Sequence, residues 1–169
     1  MSKEGSLLSF LTTAEMALRR LEIGLIVILF PTLVLLTFLQ VVFRYVLNFP
    51  LPWTEELAVS IFIWVAFIGS AIAMANKGHF GLTLFVNRLP RTLRVSCEIA
   101  IWLLSALFLV LVAIYGIEVV LETSHTMTTL PISMQWSFSA VPAGAILMLL
   151  HLCIQAARAI LQQPSKSEA

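Results

Sequence analysis

Residues able to do chemistry are sparse in this 169-residue sequence, and the densest group flanks one turn. Arg44 precedes a Pro-rich stretch with Asn48, Pro50 and Pro52, and Trp53, Glu55 and Glu56 follow it. A guanidinium and two carboxylates so placed can pair across the turn, hold a lipid headgroup or contact a partner chain. They can equally stay as separate solvated charges, and an exposed pair would contribute only about 0–1 kcal/mol. His79, His125 and His151 invite a haem reading, which needs two axial ligands facing each other at membrane depth. His79 and His125 fall in connections on opposite sides and His151 stands alone in an apolar run, so ordinary hydrogen bonding is the better account. Cys97 and Cys153 lack metal-ligand spacing and read as small buried apolar residues. The chain has no Asp and no G-x-S-x-G, H-E-x-x-H, C-x-x-C or Walker pattern. No catalytic, cofactor-binding or metal-binding residue is therefore expected. Glu22 and Glu118 lie near the ends of apolar runs, where a carboxylate can reach the interface, whereas an ion-coupling acid should lie deeper.

The elements that position these residues belong to a membrane protein. Hydrophobic residues make up 60% of the chain and charged ones 11%, against about 25% charged in a soluble domain. A net charge of +1 gives no case for nucleic acid binding. The expected fold is an all-α integral membrane protein with four transmembrane helices and amphipathic interfacial helices, forming a single membrane domain over residues 1–161. The spans are expected at about 21–46, 55–75, 96–121 and 135–160. Residues 6–20 carry an apolar stripe (Leu7, Phe10, Leu11, Ala14, Leu18) and predict a helix lying in the membrane surface. Leu82, Phe85, Val86 and Leu89 predict a second, shorter one. The first apolar run is too long for a signal-peptide core and should stay as a span. The tail 162–169 is polar.

Local signals add detail. Thr54 is placed to cap the second span, with Glu55 and Glu56 at the positive end of its dipole. Thr32 stands beside Pro31 to serve backbone that the proline frees. Ala66, Gly69, Ser70 and Ala73 form a small-residue face of the kind that lets helices approach closely in lipid. Arg44 is the single Lys or Arg on its side of the membrane; the other nine of the ten lie in segments facing the opposite side. The positive-inside rule then puts both termini in the cytoplasm.

The run Q-x-x-F-R-Y-x-x-N-x-P-x-x-W-x-E-E-L, from Gln40 to Leu57, resembles the signature of the small membrane subunit of tripartite ATP-independent periplasmic (TRAP) transporters. F-x-W-x-x-F-x-G from Phe62, L-P-x-x-x-R from Leu89 and L-P-I-S-M-x-W-x-F-x-x-V-P-x-G from Leu130 are similar to later parts of that family. The likeness covers roughly residues 20–155.

The resemblance implies a small permease subunit in the bacterial inner membrane. It would brace a large multi-span subunit during sodium-coupled uptake of an organic acid of the sialic acid or C4-dicarboxylate class. A periplasmic binding protein would deliver that acid. No cofactor is implied in this chain, because sodium would bind the large subunit. Gln40, Arg44, Trp53, Glu55, Glu56 and Gly69 become candidates for partner or phospholipid contact. Asn48, Thr128, Pro131 and Gln135 become candidates for binding-protein docking. The alternatives are an autonomous four-helix transporter and the membrane anchor of a redox complex. The first needs a buried membrane carboxylate, the second facing histidines or a quinone site.

Overall fold

A computed structural model describes residues 3–76 and 91–161. Their elements are α1 (Lys3–Tyr45), α2 (Pro52–Ala75), α3 (Arg91–Glu122), the short α4 (Gln135–Phe138) and α5 (Ala140–Leu161). Four stretches are long and apolar enough to cross a membrane, and no strand forms among the described residues. The protein is an all-α membrane protein, as its apolar runs require: in lipid each helix satisfies its own backbone. His79, the predicted interfacial helix over 82–89 and the tail 162–169 lie outside the described residues.

One expected boundary is absent. The surface helix at 6–20 and the first span were expected as separate elements, but α1 runs unbroken from Lys3 to Tyr45, 43 residues. No glycine or proline falls between residues 6 and 23, and extending a helix is easier than nucleating a second one. At about 1.5 Å per residue α1 is roughly 65 Å long, about twice the hydrocarbon thickness. Over residues 9–22 its inward face is Leu11, Ala14, Glu15, Leu18 and Glu22, whereas Phe10 of the expected stripe is exposed, as is Leu21. α1 also continues through Pro31. Thr32 Oγ1 donates to the Ile28 carbonyl at 2.8 Å, so it does not serve the Val27 carbonyl that the missing proline N–H leaves free.

Helix α2 begins earlier than expected. Pro52 occupies its first turn and Leu51 is the capping residue, without a side-chain cap. Thr54 is therefore not the N-cap; inside the helix and fully buried, it donates its hydroxyl to the Leu51 carbonyl at 2.6 Å. A fixed proline φ suits a helix start, which explains the shift. Between α1 and α2 the chain reverses through Asn48, whose φ of 51° lies in the left-handed region that asparagine tolerates.

The predicted span 135–160 is divided. α4 ends at Phe138 and α5 starts at Ala140. Pro142 has no N–H for the Phe138 carbonyl, and the ladder resumes with Ala143 N–H on Ser139 at 3.1 Å.

Helix α5 is the centre of the packing. It meets α1, α2 and α3, whereas α3 meets neither α1 nor α2 among the described residues. α1, α2 and α5 thus pack on one another, and α3 is attached at one edge, an open arrangement and not a closed ring of four helices. Leu109, Ala113, Ala145 and Leu152 make the core between α3 and α5. Two glycines allow close approach on the two sides of α5, Gly144 towards α2 and Gly116 of α3 towards α5. A Cβ on Gly144 would sit 2.6 Å from Phe67 Cβ, and one on Gly116 would sit 3.1 Å from Pro142 Cδ. Gly69 has nothing within 4 Å of that position, so among the described residues the small-residue face of α2 is not used for packing.

Candidate functional site

The turn between α1 and α2 and the connection from α3 to α4 lie at the same end of the packed helices, and Glu56 joins them. Its Oε1 accepts the Thr128 N–H at 3.0 Å; its Oε2 accepts the Thr129 N–H at 3.0 Å and the Thr129 hydroxyl at 2.6 Å. Three donors on one carboxylate fix the tip of the connection against α2. The connection is itself a small hairpin. Thr126 bridges Ser133, Met127 N–H bonds the Ile132 carbonyl at 2.9 Å, and Met127 is buried. Below the tip, Ser60 and Ser137 share a buried hydrogen bond of 2.7 Å. Trp64 stacks obliquely on Trp136 with ring centroids 5.1 Å apart, and its indole N–H reaches the Trp136 carbonyl at 3.1 Å. A cavity of ≈ 490 Å³ lies between α2 and the hairpin, with Glu56, Val59, Met127 and Phe138 in its lining.

The remaining candidate residues are dispersed around this end. Arg44 and Glu55 are exposed and form no ion pair among the described residues, so Arg44 pairs with neither Glu55 nor Glu56. Glu56 is directed to the hairpin instead, where backbone N–H groups lie within reach. Gln40 is half-buried and lines the same cavity as Arg44, Asn48 and Glu55. Trp53, Thr128 and Pro131 are exposed. Gln135 donates its amide to the Thr123 carbonyl at 2.8 Å, tying together the two ends of the hairpin.

A second polar locus escaped the sequence reading. Glu22 was expected to reach the interface, but it is fully buried and its Oε1 lies 2.9 Å from His151 Nε2. His151 is equally buried, and its Nδ1 has no partner among the described residues. Glu15 and Arg158 form an ion pair on the same two helices. The two carboxylates are seven positions apart on α1 and the two bases seven apart on α5. On antiparallel helices that spacing places both pairs on one seam, two turns apart. The matched spacing was readable in the sequence, and it is the signal that could have found the pairs. The expectation that His151 is an ordinary hydrogen-bonding residue is met. At the same end, Gln155 donates to the Met74 carbonyl at 2.8 Å.

Among the described residues no group of His, Cys and Glu is arranged to hold a metal ion. Cys97 and Cys153 are free thiols; Cys153 is exposed, so it is not the buried apolar residue expected. The fold and these loci define a multi-pass α-helical membrane protein whose buried polar side chains bond one another or nearby backbone.

The family described as "Tripartite ATP-independent periplasmic transporters, DctQ component" matches residues 33–162, and the chain belongs to it. It is 34% identical over 119 residues to the sialic acid TRAP transporter small permease protein SiaQ of Vibrio cholerae serotype O1, covering 66% of this chain and 65% of that one. It is 31% identical over 113 residues to the sialic acid TRAP transporter permease protein SiaT of Haemophilus influenzae, covering 66% of this chain and 18% of that one. The C4-dicarboxylate TRAP transporter small permease protein DctQ of Rhodobacter capsulatus is 31% identical over 101 residues, covering 58% of this chain and 44% of that one. The matched segments thus span less than two thirds of each of these relatives. With four apolar helices, this family membership makes the chain a TRAP small permease protein, multi-pass in the bacterial inner membrane.

Proposed function

We propose that this chain braces a larger multi-span subunit during sodium-coupled, binding-protein-dependent uptake of an organic acid, of the sialic acid or C4-dicarboxylate class. The observation that carries this reading is the open attachment of α3, which meets only α4 and α5 among the described residues. α3 meets neither α1 nor α2, so the described helices enclose no path across the membrane. A transporter on its own would need such a path lined by polar or ionisable groups. Here the buried polar side chains are directed to one another or to backbone: Glu22 to His151 and Ser60 to Ser137. α1 and α3 also present Ile28, Leu35, Leu104 and Phe108 outward, and the small-residue face of α2 is open. These surfaces suit lipid and a second membrane chain.

The names of the Vibrio, Haemophilus and Rhodobacter relatives support the two substrate classes. That this chain matches only 18% of the Haemophilus protein supports a larger functional unit. Sodium then binds the large subunit, and no cofactor or catalytic residue belongs to this chain. The binding protein docks at the turn and hairpin, through Asn48, Thr128, Pro131 and Gln135. Both termini lie in the cytoplasm, and phospholipid fills the remaining apolar surface.

Reconstitution tests this reading. Liposomes holding the chain alone should take up no labelled acid under an inward sodium gradient with loaded binding protein. Adding the large subunit should give uptake. Sodium-dependent uptake by the chain alone would return the function to an autonomous transporter.

A further inference from the structure

We propose that the groove between α1 and α2 binds a zwitterionic aminophospholipid. The headgroup lies at the α1–α2 turn and an acyl chain runs along the helices. The inference does not rest on the transport role proposed above.

Two adjoining cavities carry it. The first, ≈ 360 Å³, is lined by Gln40, Arg44, Asn48 and Glu55 with the proline-rich turn. The second, ≈ 430 Å³, is lined by Leu33, Val34, Val59 and Phe62, and again by Gln40 and Glu55. Two residues thus belong to both, and a polar compartment opens onto an apolar one. The apolar part lies further into the spans; the polar part lies at the last turn of α1 and the first turn of α2. Thr37 also faces the groove, and its hydroxyl bonds the carbonyls of its own helix. A ligand fitting both halves is an amphiphile oriented along the membrane normal.

The charges select its headgroup. Arg44 and Glu55 share the polar cavity, and neither has an ion-pair partner among the described residues. A phosphate offers oxygens for two parallel guanidinium bonds. A primary ammonium one ethylene unit away offers three donors, which suit the Glu55 carboxylate and the side-chain oxygens of Gln40 and Asn48. Phosphatidylethanolamine carries both groups. Phosphatidylglycerol would satisfy Arg44 but bring no cation to Glu55. Phosphatidylcholine has a cation with no N–H to donate. Tyr45 and Trp53 flank the turn, at the depth where aromatic rings meet headgroups.

The test uses the full chain, purified in mild detergent and exchanged into nanodiscs with equal phosphatidylethanolamine and phosphatidylglycerol. Native mass spectrometry then reads the retained lipid. Retained phosphatidylethanolamine should exceed phosphatidylglycerol by about tenfold, the size of one charge-assisted hydrogen bond. Glu55→Gln should abolish the preference while lipid is still retained through Arg44. Arg44→Ala should lose most retained lipid of both kinds. Both residues are exposed, and unchanged helical circular dichroism would show that the variants fold. Glu118→Gln, an exposed carboxylate on α3, should change nothing. Equal retention of the two lipids, unchanged retention in Arg44→Ala, or no retained lipid would each overturn the proposal. Release of all retained lipid when a larger membrane subunit binds would assign the groove to that subunit and overturn it as well.

Discussion

Glu22 and His151, 129 positions apart in sequence, meet at 2.9 Å with both side chains fully buried. This pair joins the first helix to the last. Together with Glu15 and Arg158 it sets the register of α1 on α5.

Removing one partner of a buried pair leaves the other uncompensated, at a cost of about 3–5 kcal/mol. His151→Ala and Glu22→Ala should therefore lower the thermal midpoint of the purified chain strongly. The double variant Glu22→Met/His151→Leu should recover much of that loss, because apolar replacement of a buried pair is often neutral. A double variant whose loss equals the sum of the two single losses would show that the residues act independently and not as a pair.

The Glu15–Arg158 pair should behave differently. Its side chains keep 14% and 23% of their exposure, so water and salt reach them. Arg158→Gln should cost about 1 kcal/mol or less, and the difference from wild type should shrink in high salt. A loss as large as that of His151→Ala would contradict this ranking.

Glu56→Gln and Glu56→Ala should free the hairpin tip. Amide exchange at Thr128 and Thr129 should accelerate in both, most in the alanine variant, since both N–H groups bond this carboxylate. Glu55→Ala should leave those amides unchanged. Because Arg44 makes no ion pair with Glu56, a reciprocal Arg44→Glu change should not rescue Glu56→Arg. Rescue would restore the cross-turn pair that the structure lacks.

Gly144→Ala should destabilise the isolated chain by about 1–3 kcal/mol, because the new methyl meets Phe67. Gly69→Ala should be neutral there, since that side of α2 is open. If the same face packs on a second membrane chain, Gly69→Leu should reduce co-purification of that chain without changing the stability of this one.

Topology is checked by cysteine labelling in a background lacking Cys97 and Cys153. A cysteine at Thr128 should react with an impermeant reagent outside the cell, and one at Ser165 only after permeabilisation. The reverse pattern would invert the orientation.

The sequence by itself determined the membrane class, the four apolar runs and the charge asymmetry. Each is a local property: a stretch of side chains is weighed against lipid whatever lies beside it. The quoted runs also identified the family, since a short pattern of residue types needs no partner to be read. Tertiary structure decided which polar residues meet. Glu56 chose backbone amides 72 and 73 positions away over an arginine across the turn, and Glu22 chose a histidine on the last helix. Such choices depend on the register between helices, which hydropathy does not encode. The same applies to the glycines. Composition drew attention to Gly69 on a small-residue face, but the close contact falls at Gly144, because only the packing of the helices brings Phe67 onto α5.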